Sequence, residues 1–184
     1  MKTIYSILCI AILAIACDSK KENMAEEKPV NDAFEKNSKV VKAALDAFEN
    51  ENFDYSIYAD DLIIRGTGFG EQDTITLAEM KTSNQEMWKM FDFKFVSDSL
   101  NLLSGVNADT KMPDGSVRYY GDWKVTRAAT DSTEEKSGVL KMYHSFDFDE
   151  DGKINFEQSY GDFTGLMMYL TSPAEMGKMM QSEK

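Results

Sequence analysis

The sequence has few of the residues that build common metal and redox sites. It contains two cysteines, Cys9 and Cys17, and one histidine, His144, among 184 residues. Both cysteines lie at the N-terminus, so a domain that follows them has no thiol for a disulfide or a nucleophile. One histidine also leaves zinc and copper short of their usual ligands. We therefore expect no cofactor, and only a hard, oxygen-preferring cation would fit as a metal.

Basic residues are also scarce. The 20 Lys and Arg residues are outnumbered by 32 Asp and Glu residues, which gives a formal charge of −12. The only basic pair near the N-terminus is Lys20-Lys21, and no larger basic cluster follows. Because nucleic-acid binding depends on concentrated positive charge, we expect no nucleic-acid partner.

Long hydrophobic runs are absent, but a short one opens the chain. Lys2 precedes an apolar stretch from Ile4 to Ala16, which is shorter than the roughly 20 residues that span a bilayer. The stretch ends in small residues directly before Cys17, as a secretory signal does. Cleavage after Ala16 would make Cys17 the new N-terminus.

This opening resembles a bacterial lipoprotein signal, although Ala14 stands where such signals usually carry leucine. Ala14-Ile15-Ala16 also fits an ordinary cleavage site, and both interpretations cut at the same bond. The resemblance implies a signal peptide over 1–16, an acylated Cys17 and an extracytoplasmic protein whose partner is the membrane. The polar residues at 17–31 are predicted to form a flexible tether.

The pattern of apolar residues predicts one α+β domain over 32–171. A helix is expected to begin at Asp32, a second one at the Thr76 capping box, and a third one over 164–170. Strands are predicted at 62–65, 93–102, 117–127, 137–148 and 153–162, with a bulge within 97–99. Asp60 and Asp61 are interpreted as a turn before the first strand, and Gly66–Gly70 as a loop without phosphate-binding spacing. Residues 172–184 are predicted to form a C-terminal helical tail.

Residues 147–158 partly match a calcium-binding loop. Asp147, Asp149 and Asp151 stand at the first three ligand positions, but Gln158 occupies the position that needs a glutamate. The flanking residues alternate as strands, whereas an EF-hand needs helices. The pattern therefore favours a β-hairpin that turns at Glu150-Asp151-Gly152, with Gly152 in the left-handed conformation.

The hairpin also predicts a register between its two strands. The expected opposite pairs are Phe148 and Ile154, Phe146 and Phe156, His144 and Gln158, and Met142 and Tyr160. In this register His144 lies on an apolar face beside amide and phenol groups, and Asp162 continues that face.

The segments YADDLIIRGTG, GDWKVTR, FDEDGKI and SYGDFTGLMMYL, in this order, resemble the nuclear transport factor 2-like superfamily, which includes SnoaL-type polyketide cyclases and ketosteroid isomerases. The resemblance covers roughly 33–171. It implies a curved, mostly antiparallel sheet wrapped round N-terminal helices, a cone with a pocket at its open end. It also implies a homodimer through the outer sheet surface, and a rim formed by loop 105–116.

Members of this superfamily that are enzymes place an acid or base inside the cone. The candidate catalytic residues here are His144, Tyr160 and Asp162, although His144 also fits a core residue and Asp162 a tether for the last helix. The candidate ligand-binding residues are Trp88, Trp123, His144, Gln158 and Tyr160. Three functions stay open: binding of a small apolar ligand, an interaction module with a filled cone, and an isomerase, dehydratase or cyclase.

Overall fold

The computed structural model describes residues 23–68, 70–71 and 74–172. They form three helices, α1 (Asn23–Glu49), α2 (Leu77–Met90) and α3 (Phe163–Thr171), and a short 3-10 turn at Tyr55–Ile57. The five strands are β1 (Tyr58–Arg65), β2 (Asp92–Val106), β3 (Pro113–Arg127), β4 (Lys136–Phe148) and β5 (Ile154–Tyr160). The predicted signal peptide, Cys17 and residues 173–184 of the predicted tail lie outside the described residues.

Helix α1 begins earlier than the sequence pattern predicted. It is already helical at Asn23, so Asp32 lies inside the helix and does not cap it, and the helix takes in much of the predicted tether. The cause is composition: Glu and Lys make this segment polar, but they favour a helix, as Met and Ala do. A polar segment is therefore no sign of irregular structure by itself.

The strands form one mixed sheet in the order β1-β5-β4-β3-β2, in which only β1 and β5 pair in parallel. Asp60 and Asp61 lie within β1 and do not form the predicted turn. The register between β2 and β3 shifts between Val96 and Asn101, which confirms the predicted bulge. The capping box at Thr76 is also confirmed, because its side chain accepts from the Glu79 N–H and the Glu79 carboxylate accepts from the Thr76 N–H.

The core lies between the inner face of the sheet and the helices. β3 presents Val117, Tyr119, Trp123 and Val125 to this core, and α1 covers them with Val41 and Leu45. Phe48 of α1 packs edge-on against Trp123, with ring centroids 5.5 Å apart. This aromatic packing joins the helix layer to the sheet.

The first residues of β3 lie against α1. The Asn37 side-chain amide donates to the Gly115 carbonyl at 2.9 Å, and both Asn37 and Ser116 are buried. No residue of 105–116 borders the cavity described below, so the prediction that this loop forms the rim is wrong. The buried Asn37 contact holds the start of β3 on the helix instead.

The β4–β5 hairpin is confirmed. Gly152 has a φ of +79°, its N–H donates to the Asp149 carbonyl at 3.1 Å, and the Lys153 N–H donates to the Asp149 side chain at 2.8 Å.

Asp147, the first residue of the partial calcium-loop match, contacts Arg118 at 2.8 Å. Across the described part of the chain, no three His, Cys, Asp or Glu side chains are grouped to hold a metal ion. Within the same part, no helix has the length and apolarity that crossing a bilayer requires.

Candidate functional site

A cavity of about 750 Å³ lies between the inner face of the sheet and helices α2 and α3. Its walls are largely apolar and include Phe48, Phe53, Phe93, Trp123, Met80 and Met142. The segment after β1, at 66–68, and the first residues of α3 border it as well. The cone is therefore open rather than filled.

The register of β4 and β5 decides which polar groups face this cavity. Phe148 pairs with Ile154 as predicted, but Asp147 pairs with Phe156 because Asn155 is an extra residue in β5. Because of this β-bulge, every later residue of β5 lies on the opposite face of the sheet from the predicted one. The predicted pairs of Phe146 with Phe156, His144 with Gln158 and Met142 with Tyr160 are therefore wrong.

With the bulge in place, β5 turns Glu157 toward the inner face, where it meets His144. The Nε2 atom of His144 lies 2.9 Å from Oε1 of Glu157, within ion-pair distance but not aligned as a directed hydrogen bond. The side chains are only 14% and 12% exposed. A carboxylate so deeply buried needs polar partners.

Tyr58 of β1 supplies the second partner of Glu157. Its hydroxyl donates to Oε2 of Glu157 at 2.7 Å, and Tyr58 is 5% exposed. Burial, followed by the neighbouring Glu157 carboxylate, raises the pKa of Tyr58 well above its usual value. Tyr58 therefore stays a neutral donor, and both carboxylate oxygens of Glu157 have a contact.

Aromatic rings surround the imidazole. His144 stacks on Phe146 with ring centroids 4.2 Å apart, and Tyr119 lies 5.4 Å away on the neighbouring strand. The Trp123 indole N–H donates to the Tyr119 hydroxyl at 3.4 Å. Burial raises the pKa of Tyr119 as well, so its hydroxyl stays protonated. The polar cluster thus sits in an apolar setting.

The structure brings together two of the residues that the sequence nominated for ligand binding, His144 and Trp123, both of which border the cavity. Trp88 does not border it. This side chain packs against Phe48, with ring centroids 5.3 Å apart, and its buried indole N–H has no partner among the described residues. Trp88 therefore belongs to the packing between α1 and α2.

The remaining nominated residues lie elsewhere than predicted. Tyr160 and Gln158 reach the border of the cavity, but the bulge places their side chains on the outer face of the sheet, where Tyr160 is 48% exposed and packs near Tyr143. Asp162 also borders the cavity, but it is exposed and caps α3 by accepting from the Gly165 N–H at 2.8 Å. This is the tethering role that the sequence left open for Asp162.

Sequence reasoning missed Glu157 and Tyr58. Glu157 stands one place before Gln158 in the partial calcium-loop match, and Tyr58 precedes the first predicted strand at 62–65. No local pattern announces the bulge at Asn155. The sequence offered one signal, an acidic residue within the strand predicted to pair with the strand of His144.

Comparisons with known proteins agree with this architecture. Neither a protein-family model nor a curated protein sequence matches the chain. Similar solved structures include a proposed polyketide cyclase from Xanthomonas campestris pv. campestris, with a TM-score of 0.57 and 16% identity over 72% of this chain and 94% of that one. Another proposed polyketide cyclase, from Silicibacter sp., has a TM-score of 0.57 and 15% identity, over 78% of this chain and 96% of that one. A third, from Pseudomonas putida, has a TM-score of 0.53 and 18% identity, over 72% of this chain and 95% of that one.

These similarities define the fold. The chain has the nuclear transport factor 2-like fold, as the resemblance in its sequence predicted. With identities below 20%, the function has to be argued from the residues of the site.

Proposed function

We propose that this chain is a lipid-anchored extracytoplasmic protein that binds a small, largely apolar molecule in its cavity. The open cavity of about 750 Å³ supports the proposal, because protein interiors normally pack without voids of this size. Its aromatic and methionine side chains suit an apolar body, and methionine adapts to ligands of different shape. His144 and Glu157 offer the ligand one polar anchor.

Native mass spectrometry of the mature protein tests the binding proposal. We expect a retained small molecule, which should be lost when the cavity is filled by Met80→Trp. Gln85→Trp, at an exposed position of the same helix, is the matched control and should keep the ligand. A protein that carries no small molecule, and binds none from a library of apolar compounds, contradicts the proposal.

A second function, proton transfer, is favoured by the contact between His144 and Glu157. A neutral imidazole can accept a proton from an acidic C–H bond, and the adjacent Glu157 carboxylate stabilises the imidazolium that forms. Tyr58 holds the carboxylate in place through its 2.7 Å hydrogen bond. This array would serve an isomerase or cyclase type of reaction inside an apolar cavity.

Deuterium exchange tests the second function. We expect the protein to accelerate the exchange of the α-hydrogens of an apolar ketone such as 2-tetralone in D₂O. His144→Gln and Glu157→Gln should each remove the acceleration. The His144→Gln protein should still bind the ketone, which separates the loss of proton transfer from a loss of binding. Equal exchange with and without protein excludes proton abstraction from this ketone.

The homodimer also stays a prediction. The outer face of the sheet carries Tyr120, Tyr143 and Tyr160 in a row, with Tyr120 and Tyr160 about half exposed. This surface is available to a second copy. The subunit number follows from the same native mass spectra.

A further inference from the structure

Asn84 is a buried amide on the helical wall of the cavity. It lies in the middle of α2, is 7% exposed and borders the cavity. Its Nδ2 atom donates to the Tyr55 hydroxyl at 3.1 Å. The amide oxygen accepts no hydrogen bond from a described residue. This oxygen is not fully buried, so a group in the cavity can reach it.

Tyr55 fixes the direction of this amide. The Tyr55 ring packs against Phe53 with centroids 4.9 Å apart, and the Lys81 ammonium lies 4.9 Å from the centre of the same ring. Because the phenol is held in this way, the Nδ2 bond orients Asn84 and leaves its oxygen and second N–H available. The amide is thus preorganised for one more polar group.

Buried polar groups border the cavity on two different walls. Glu157 and His144 lie on the sheet wall, and Asn84 lies on the α2 wall. Other charged residues that border the cavity, such as Arg65 and Glu79, are exposed. A ligand with a single polar group would leave one of these positions unpaired. A hydroxyl group can both donate and accept, so it can satisfy either side of an amide.

We propose that the ligand carries two hydroxyl groups separated by an apolar body, and that Asn84 is the residue that selects for the second hydroxyl. This inference rests on the proposed binding function and specifies its ligand class. The first hydroxyl meets the His144 and Glu157 pair. The second meets Asn84, and an apolar end at that position is disfavoured.

Calorimetric titration of the mature protein with 1-decanol and 1,10-decanediol tests the inference, because both share a flexible chain and differ by one hydroxyl. We expect the native protein to bind the diol at least as tightly as the mono-alcohol. In Asn84→Leu the diol should bind at least tenfold more weakly, while the affinity for 1-decanol changes less than threefold. Gln85→Leu, at an exposed position of the same helix, should change neither.

The ratio of the two affinities separates recognition from folding. Asn84→Ser, which keeps a hydroxyl at this position, should retain part of the preference for the diol. An equal loss of both ligands in Asn84→Leu, or an unchanged ratio, overturns the inference but leaves the binding function standing. Failure of the native protein to bind either alcohol or any other apolar compound overturns both.

Discussion

Glu157 lies beside His144 because Asn155 is inserted as an extra residue in β5, which places the two side chains 2.9 Å apart. The same shift brings the other oxygen of Glu157 within 2.7 Å of the Tyr58 hydroxyl. One backbone irregularity thus joins three strands, β1, β4 and β5, through one buried carboxylate.

Replacing Glu157 should therefore destabilise the fold. Glu157→Leu leaves the Tyr58 hydroxyl and the His144 ring without their partner, and we expect a loss of about 2–4 kcal/mol in the free energy of unfolding. Glu157→Gln should cost less, because an amide oxygen still accepts from Tyr58. Urea unfolding measures both values, and equal values for the two variants contradict the assigned contacts.

Tyr119 should make stability depend on alkaline pH. Its pKa is raised by burial, so the folded state holds the phenol proton more tightly than the unfolded state. This contribution is fully present below about pH 10, where unfolded tyrosine ionises, and is lost as the pH rises toward the folded pKa. We expect Tyr119→Phe to remove about 1.4 kcal/mol per pH unit from the slope above pH 10. The slope is obtained from urea unfolding at several pH values.

If stability falls with pH as steeply in the Tyr119→Phe protein as in the native protein, the Tyr119 phenol has the same pKa in the folded and unfolded states, and the prediction is wrong. Tyr58→Phe should act in the same direction, since the pKa of Tyr58 is raised by burial and by Glu157. It should also lower the stability at neutral pH, because its hydrogen bond to Glu157 is lost.

The turn of the β4–β5 hairpin depends on Gly152. Its φ of +79° lies in the left-handed region, which costs a residue with a β-carbon about 1 kcal/mol. We expect Gly152→Ala to lower the free energy of unfolding by about this amount, and Gly152→Asn by less, because asparagine tolerates this conformation. Chemical unfolding measures both variants, and Gly152→Asn is the control for Gly152→Ala. An alanine variant as stable as the native protein contradicts the turn assignment.

The proposed lipid anchor is testable through the two cysteines. Cys17→Ser removes the thiol that would be acylated, so we expect the protein to move from the membrane fraction to the soluble extracytoplasmic fraction. Cys9→Ser changes a cysteine inside the predicted signal and should leave the protein at the membrane. Detergent phase separation followed by mass measurement of the N-terminal peptide reads out the result. Soluble protein in both variants and in the native chain excludes the anchor.

Much of the fold followed from local patterns in the sequence. The capping box at Thr76 and the period-two alternation in β3 and β4 report the backbone state of the residues that carry them. Gly152 between two alternating segments likewise announced the hairpin. The order of these elements was sufficient for the nuclear transport factor 2-like fold. The start of α1 was wrong because a polar composition suits both a tether and an exposed helix.

The site was decided by the tertiary structure. The sequence by itself determined that the chain has one histidine, that this histidine lies on the core-facing side of its strand, and that Trp123 shares this side. It did not determine the partner of His144, because a bulge shifts the register by one residue without leaving a local signature, and one residue reverses inside and outside. The pairing of the strands places Glu157 beside the imidazole and Tyr58, and it turns Tyr160 outward. The packing of α2 on the sheet brings Asn84, which is distant in sequence, to the border of the same cavity.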